Sequence, residues 1–146
     1  MELIIKDIDT ASSLEKVIKP DPNFYKIVGE KRFRKLVADH YELLKDSDIA
    51  FMFPIAYEDE FEKVKKHAAD FLIQISGGPD YYAQTRGDSR MLARHARFRI
   101  DEKGRYIWLD SYRPLLQELE KEGVDTKYIE SFWNYLNNFS MALVNS

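Results

Sequence analysis

The chain has 146 residues, of which 45% are hydrophobic and 32% charged, with a formal net charge of −3 and a pI near 5.7. This is the profile of one soluble globular domain, without the basic footprint that a nucleic-acid partner demands. The absence of cysteine excludes a disulfide scaffold, a zinc ribbon and a cysteine-held iron–sulfur centre, and fits a reducing, cytoplasmic setting.

The opening "MELIIKDIDT" has a short apolar run and no cleavage pattern, so no signal peptide is predicted, and no apolar stretch is long enough to span a bilayer. "DTASSLEKVI" predicts a short capped helix. "IKPDPNF", with two prolines close together, reads as a linker. Residues 1–23 are therefore set apart as an N-terminal arm, and 24–146 as the domain proper.

From there the pattern is helical. "EKRFRKLVADHYELLKD" puts Phe33, Leu36, Val37, Tyr41 and Leu44 on one face, and "SDIAFMFP" is a short apolar piece stopped by Pro54. "EDEFEKVKKHAADFLIQIS" carries Phe61, Val64, Ala68, Phe71, Leu72 and Ile75 on one stripe and ends at Gly77–Gly78–Pro79. The stretch Gly77 to Asp88 reads as one long irregular loop, a length that points to a site. "DSRMLARH" predicts a helix of about two turns ending on His95. "DEKGRYIWLDSYRPLLQELEKEG" is a long helix with Trp108 near its start and a break at Pro114. "DTKYIESFWNYLNNFSMALVNS" is the last helix, capped by Asp125, with Ile129, Phe132, Trp133, Leu136, Phe139 and Leu143 inward. No strand pair is predicted. The fold class is all-α, with about six helices.

The three histidines, His40, His67 and His95, lie 27 and 28 residues apart, so no local metal pair exists. His95 alone reads as a structural histidine at a helix C-terminus, where an imidazole complements the dipole. Its functional reading is axial ligation of a haem iron through a neutral ring nitrogen. Trp108, Tyr41 and Phe53 alone read as core, yet an indole N–H or a phenol O–H could donate to a small ligand on iron. Arg86, Arg94, Tyr82 and His67 read as solvated surface, or as groups that hold carboxylates at a ligand's rim.

Taken together, "HYELLKDSDIAFMFP", "FLIQISGGPDYYAQTRGDSRMLARHARFRI" and the tryptophan of "RYIWL", 13 residues after His95, resemble the truncated haemoglobins of the second, O-type, group of bacterial globins. The resemblance runs from "FYKIVGEKRF" to "ALVNS", residues 24–146. It implies a two-over-two helical sandwich around a b-type haem. It implies that His95 is the proximal iron ligand and that Tyr41 and Trp108 are the distal hydrogen-bond donors, with Phe53 the aromatic beside them. Val64, Ala68, Phe71 and Leu72 would form the distal wall. His67, Tyr82, Arg86 and Arg94 would lie near the propionates, and Met91, Phe98 and Ile100 would pack the proximal side.

The chain departs from the pattern in carrying Gly29–Glu30 where Gly-Gly is usual, in a longer run after Phe53, and in Phe53 itself, where some relatives carry tyrosine. The implied function is reversible binding of dioxygen, carbon monoxide or nitric oxide. The alternative is a nitric oxide dioxygenase or peroxidase-like haem enzyme, which would need a separate reductase. A haem-free helical domain is the third reading.

Overall fold

The computed structural model describes residues 1–8 and 17–146. The helix expected within "DTASSLEKVI" lies largely outside the described residues. Among them there are eight α-helices and no strand: α1 (Phe24–Val28), α2 (Glu30–Lys45), α3 (Glu58–Ile75), α4 (Tyr81–Arg86), α5 (Met91–His95), α6 (Glu102–Asp110), α7 (Arg113–Lys121) and α8 (Thr126–Leu143), with a 3-10 turn at Ala50–Met52. Five of the six expected helices fall among the described residues, and they become eight because the short α1 and α4 carry no readable period and the long helix divides into α6 and α7.

The helices form the expected two-over-two sandwich. One pair is α2 against α3; the other is α6 and α7 against α8. Fully buried Phe24, Phe33 and Phe132 join the layers, with ring centroids 5.0 to 6.0 Å apart. Burying each such ring is worth roughly 1.5–3 kcal/mol.

Local chemistry sets the boundaries. Gly29, at φ 84°, ends α1 and opens α2, a left-handed conformation that an L side chain rarely adopts. α3 begins on Glu58, Asp59 and Glu60, which complement its N-terminal dipole. It ends where the Gly78 amide returns to the Ile73 carbonyl at 2.9 Å. Gly77 sits at φ 94°, and a β-carbon there would run into the Pro22 carbonyl. The GGP turn and the PDP linker are thus packed against each other, and the Tyr25 amide donates to Ser76 at 3.1 Å.

Asp101 caps α6 by accepting from the Gly104 amide at 2.7 Å, and Asp125 caps α8 by accepting from Lys127 at 3.0 Å. The long helix expected around Pro114 does break: α6 stops at Asp110, and Pro114 takes the first turn of α7.

Three expectations need correcting. The stretch from Gly77 to Asp88 is not one irregular loop, because Tyr81–Arg86 forms α4. α5 is shorter than two turns, because Arg90 is left-handed at φ 41° and the helix starts only at Met91. Trp108 lies near the C-terminal end of α6 rather than near the start of a long helix, because the break comes so soon after it.

The described arm residues are bound to the core. Leu3 is 6% exposed and belongs to the main hydrophobic cluster. Arg113 Nε donates to the Leu3 carbonyl, Trp133 Nε1 to that of Ile4, and the buried Arg105 to that of Lys6, at 2.8–2.9 Å. At the other end, Asn145 holds the extended segment after His95. It donates to the Phe98 carbonyl at 2.8 Å and accepts from the Ile100 amide at 2.9 Å.

Candidate functional site

Between the two helix pairs lies a cavity of about 770 Å³, within the range of sites that take a cofactor. All fifteen residues singled out from the sequence line it: Tyr41 from α2; Phe53 after the 3-10 turn; Val64, His67, Ala68, Phe71 and Leu72 from α3; Tyr82 and Arg86 from α4; Met91, Arg94 and His95 from α5; Phe98, Ile100 and Trp108 beyond it. The sequence spacing alone could not have brought them together, since α2 and α6 meet only in the folded chain.

His95 ends α5, and its Nδ1 lies 2.7 Å from the Met91 carbonyl. A carbonyl can only accept, so Nδ1 carries the proton. In the neutral ring, Nε2 then keeps its lone pair free, on a side chain that lines the cavity. This is the arrangement in which a second hydrogen bond fixes the tautomer and orientation of a metal-binding imidazole.

Elsewhere on the cavity wall, Tyr41 and Trp108 carry an O–H and an indole N–H without a hydrogen-bond partner among the described residues. Both are half-buried at the cavity wall. Burial pushes the Tyr41 phenol up to about 12, so it stays a neutral donor. Phe53 and Phe61 pack edge-on against the Tyr41 ring at 5.4 and 6.3 Å, which limits its rotation. Val64 and Ala68 are only partly buried in α3 because they face this space, whereas Ala69 and Ile73 on the same helix are sealed in the core.

The rim is basic. His67 has its imidazole pKa lowered, first by burial and then by the charges of Arg86 and Lys66; its Nδ1 is buried and has no partner. The Arg86 and Lys66 charges beside it are what would attract an anionic group there. Arg94 does two things there. Its Nε donates to the Ser89 carbonyl at 2.8 Å, and its Nη2 reaches the carbonyls of Arg86 and Asp88 at 3.2 and 3.4 Å. It also lies over the Tyr82 ring at 5.7 Å. Arg94 is therefore the tie between α4 and α5 as well as a rim cation.

Sequence reasoning missed one part of the wall and one buried residue behind it. α8 contributes Tyr135, Leu136, Phe139 and Leu143, whose periodic stripe reads as core because core and cavity lie on one face. His40 was also missed. It is fully buried, while Tyr41 is not. The steps Phe33, Leu36–Val37, His40, Leu44 follow helical spacing more closely than those through Tyr41, and that signal could have found it.

The polypeptide from residue 23 to 145 matches the family model of the bacterial-like globins. Over 89 residues it is 27% identical to the group 2 truncated hemoglobin 3-1 of Lotus japonicus, covering 61% of this chain and 53% of that protein. The chain thus spans about half to three-fifths of the length of the curated relatives it matches. Among solved structures it is similar to phosphate-bound Hell's gate globin IV, at 34% identity and a TM-score of 0.83, covering 100% of this chain and 85% of that one. It is also similar to the hemoglobin of Chloroflexus aurantiacus, at 30% identity and a TM-score of 0.73, over 84% and 98% of the two chains. Family match and helical sandwich agree, and the chain belongs to the bacterial-like globin family, with group 2 truncated hemoglobins among its relatives.

Proposed function

We propose that residues 24–146 hold a b-type haem in the central cavity and bind dioxygen and other diatomic ligands reversibly, with His95 Nε2 as the proximal iron ligand. The observation that carries this reading is the His95–Met91 hydrogen bond of 2.7 Å, which leaves Nε2 bare on a cavity-lining ring.

The donor set suits the group. A flat apolar ring system matches the walls of Phe71, Leu72, Phe98 and Phe139, and its two carboxylates match the cations at the rim. When bound, haem supplies an iron with one coordination position open to a diatomic ligand. The chain's own residues do the rest. His95 is held to one tautomer by Met91. Tyr41 and Trp108 would offer neutral donors to a polarised diatomic, and a donor of that kind is worth about 0.5–1.5 kcal/mol. Phe53, Val64, Ala68 and Phe71 keep that side apolar, which strengthens each remaining polar contact. Arg86 and His67 offer charge and a free ring nitrogen to the carboxylates.

The test is the absorption spectrum of the purified chain with added hemin, in ferric, ferrous and carbon monoxide-bound forms. A Soret band that His95→Ala shifts or abolishes supports the reading, and an unchanged spectrum in that variant refutes it. Tyr41→Phe and Trp108→Phe each raise the dissociation rate of dioxygen if the distal roles are right. A chain that takes up no hemin would be a helical domain that keeps only the fold.

A further inference from the structure

The break between α6 and α7 leaves the Trp108 carbonyl without its helical partner. The Tyr112 amide, four residues on, donates instead to Leu109 at 3.0 Å. The carbonyl is taken by a side chain from the other helix pair: His40 Nε2 lies 2.9 Å from it. Because a carbonyl only accepts, Nε2 carries the proton. The His40 ring is 0% exposed and stacks on Tyr112 with centroids 3.6 Å apart and planes 18° apart. It meets the rings of Trp108 and Tyr41 edge-on, at 5.4 and 5.8 Å. One imidazole therefore touches both side chains that face the cavity with free donors, and is bonded to the main chain of one of them.

We propose that His40 is a positioning residue for ligand binding: it fixes the end of α6, and with it the aim of the Trp108 indole, while its ring edge sets the Tyr41 phenol. The inference rests on the proposed distal roles of Tyr41 and Trp108. His40 is suited to the task in its neutral form. Burial drives its pKa down to about 3, so the ring does not charge near neutrality and Nε2 remains a donor of fixed direction. A phenylalanine would fill the same space and stack on Tyr112, but would leave the Trp108 carbonyl without a partner.

The test compares His40→Phe, which keeps the aromatic and loses the donor, with His40→Gln, whose amide can place an N–H near the Nε2 position. In His40→Phe, dioxygen dissociates roughly 3- to 10-fold faster, the scale of one ordinary hydrogen bond, and the infrared C–O stretch of the carbon monoxide complex moves to higher frequency. His40→Gln returns both toward the wild-type values. The Soret band is retained in both, since neither touches His95. If Trp108→Phe changes these readouts and His40→Phe does not, His40 only fills space and the inference falls alone. If Trp108→Phe is itself silent, the distal reading falls and takes the inference with it. Should both His40 variants fail to fold, the long-range ¹⁵N–¹H spectrum of the wild-type carbon monoxide form decides. A neutral His40 ring protonated on Nε2 supports the proposal, and one protonated on Nδ1 overturns it.

Discussion

The two sides of the cavity are held by different physics. On the Tyr41–Trp108 side, rings lock rings. Trp108 packs on Tyr112 at 5.3 Å, Tyr112 on Phe132 at 5.9 Å, and Phe132 on Phe24 at 5.0 Å, so the donor wall is continuous with the deepest core. On the His95 side there is a five-residue helix, half-buried or exposed throughout, tied down by hydrogen bonds to carbonyls. Met91 holds the His95 ring, Arg94 holds the loop before it, and Asn145 holds the strip after it. The contrast suggests that the donor wall resists displacement as a unit, while the ligand-bearing helix can open locally without unfolding the rest.

The largest expected blow to the ring side is Phe132→Ala. It should cost about 3–5 kcal/mol of unfolding free energy in a denaturant titration. A loss below about 1 kcal/mol would mean the stack is not continuous with the core.

Acid should act on the same side through His40. Its folded pKa of about 3 lies below the ordinary value near 6.5, so between those values the unfolded chain binds the extra proton. Stability should therefore fall as pH drops from about 6.5 toward about 3, by up to ~1.4 kcal/mol per pH unit. His40→Phe should reduce that slope, the remainder coming in part from His67, whose pKa is also lowered. Asp70, whose pKa is lowered by Lys66 and Arg34 against the opposing effect of its burial, adds its own loss only below about 3.9, which separates the two. An unchanged slope between pH 6.5 and 4.5 in His40→Phe would assign the acid sensitivity elsewhere.

The His95 side should respond differently. Arg94→Gln should lower global stability by only ~1 kcal/mol while speeding amide hydrogen exchange across residues 86–95. Equal acceleration throughout the molecule would erase the contrast. Smallest of all, Asn145→Ala should cost about 0.5–1 kcal/mol, with faster exchange confined to the Ile100 amide and its neighbours.

What could be read in the sequence follows the same division. The long stripes of α2, α3 and α8, the GGP stop and the Pro114 break are strong periodic or stereochemical signals, and they placed the framework. α4 was hidden because "YYAQTR" is too short to show a period, and the length of α5 was hidden because nothing about Arg90 announces a left-handed backbone. The fifteen cavity residues were legible only through their resemblance to a family. Individually, each looked like core or surface. His40 was legible only as the partner of Tyr41 in the resemblance, because its own contact is with a carbonyl 68 residues away that becomes free only when α6 breaks.

The N-terminal arm is gripped by its main chain. Arg113, Trp133, Asn137 and Arg105 reach the carbonyls of Leu3, Ile4 and Lys6, and Asn137 accepts from the Lys6 amide at 3.0 Å. Such a grip reads the path of the peptide and ignores most of its lettering. Leu3 has its side chain locked inside, whereas Ile4 is 58% exposed. Position 4 is therefore open to recoding, and a spectroscopic label there would ride on α8 without disturbing the cavity behind it.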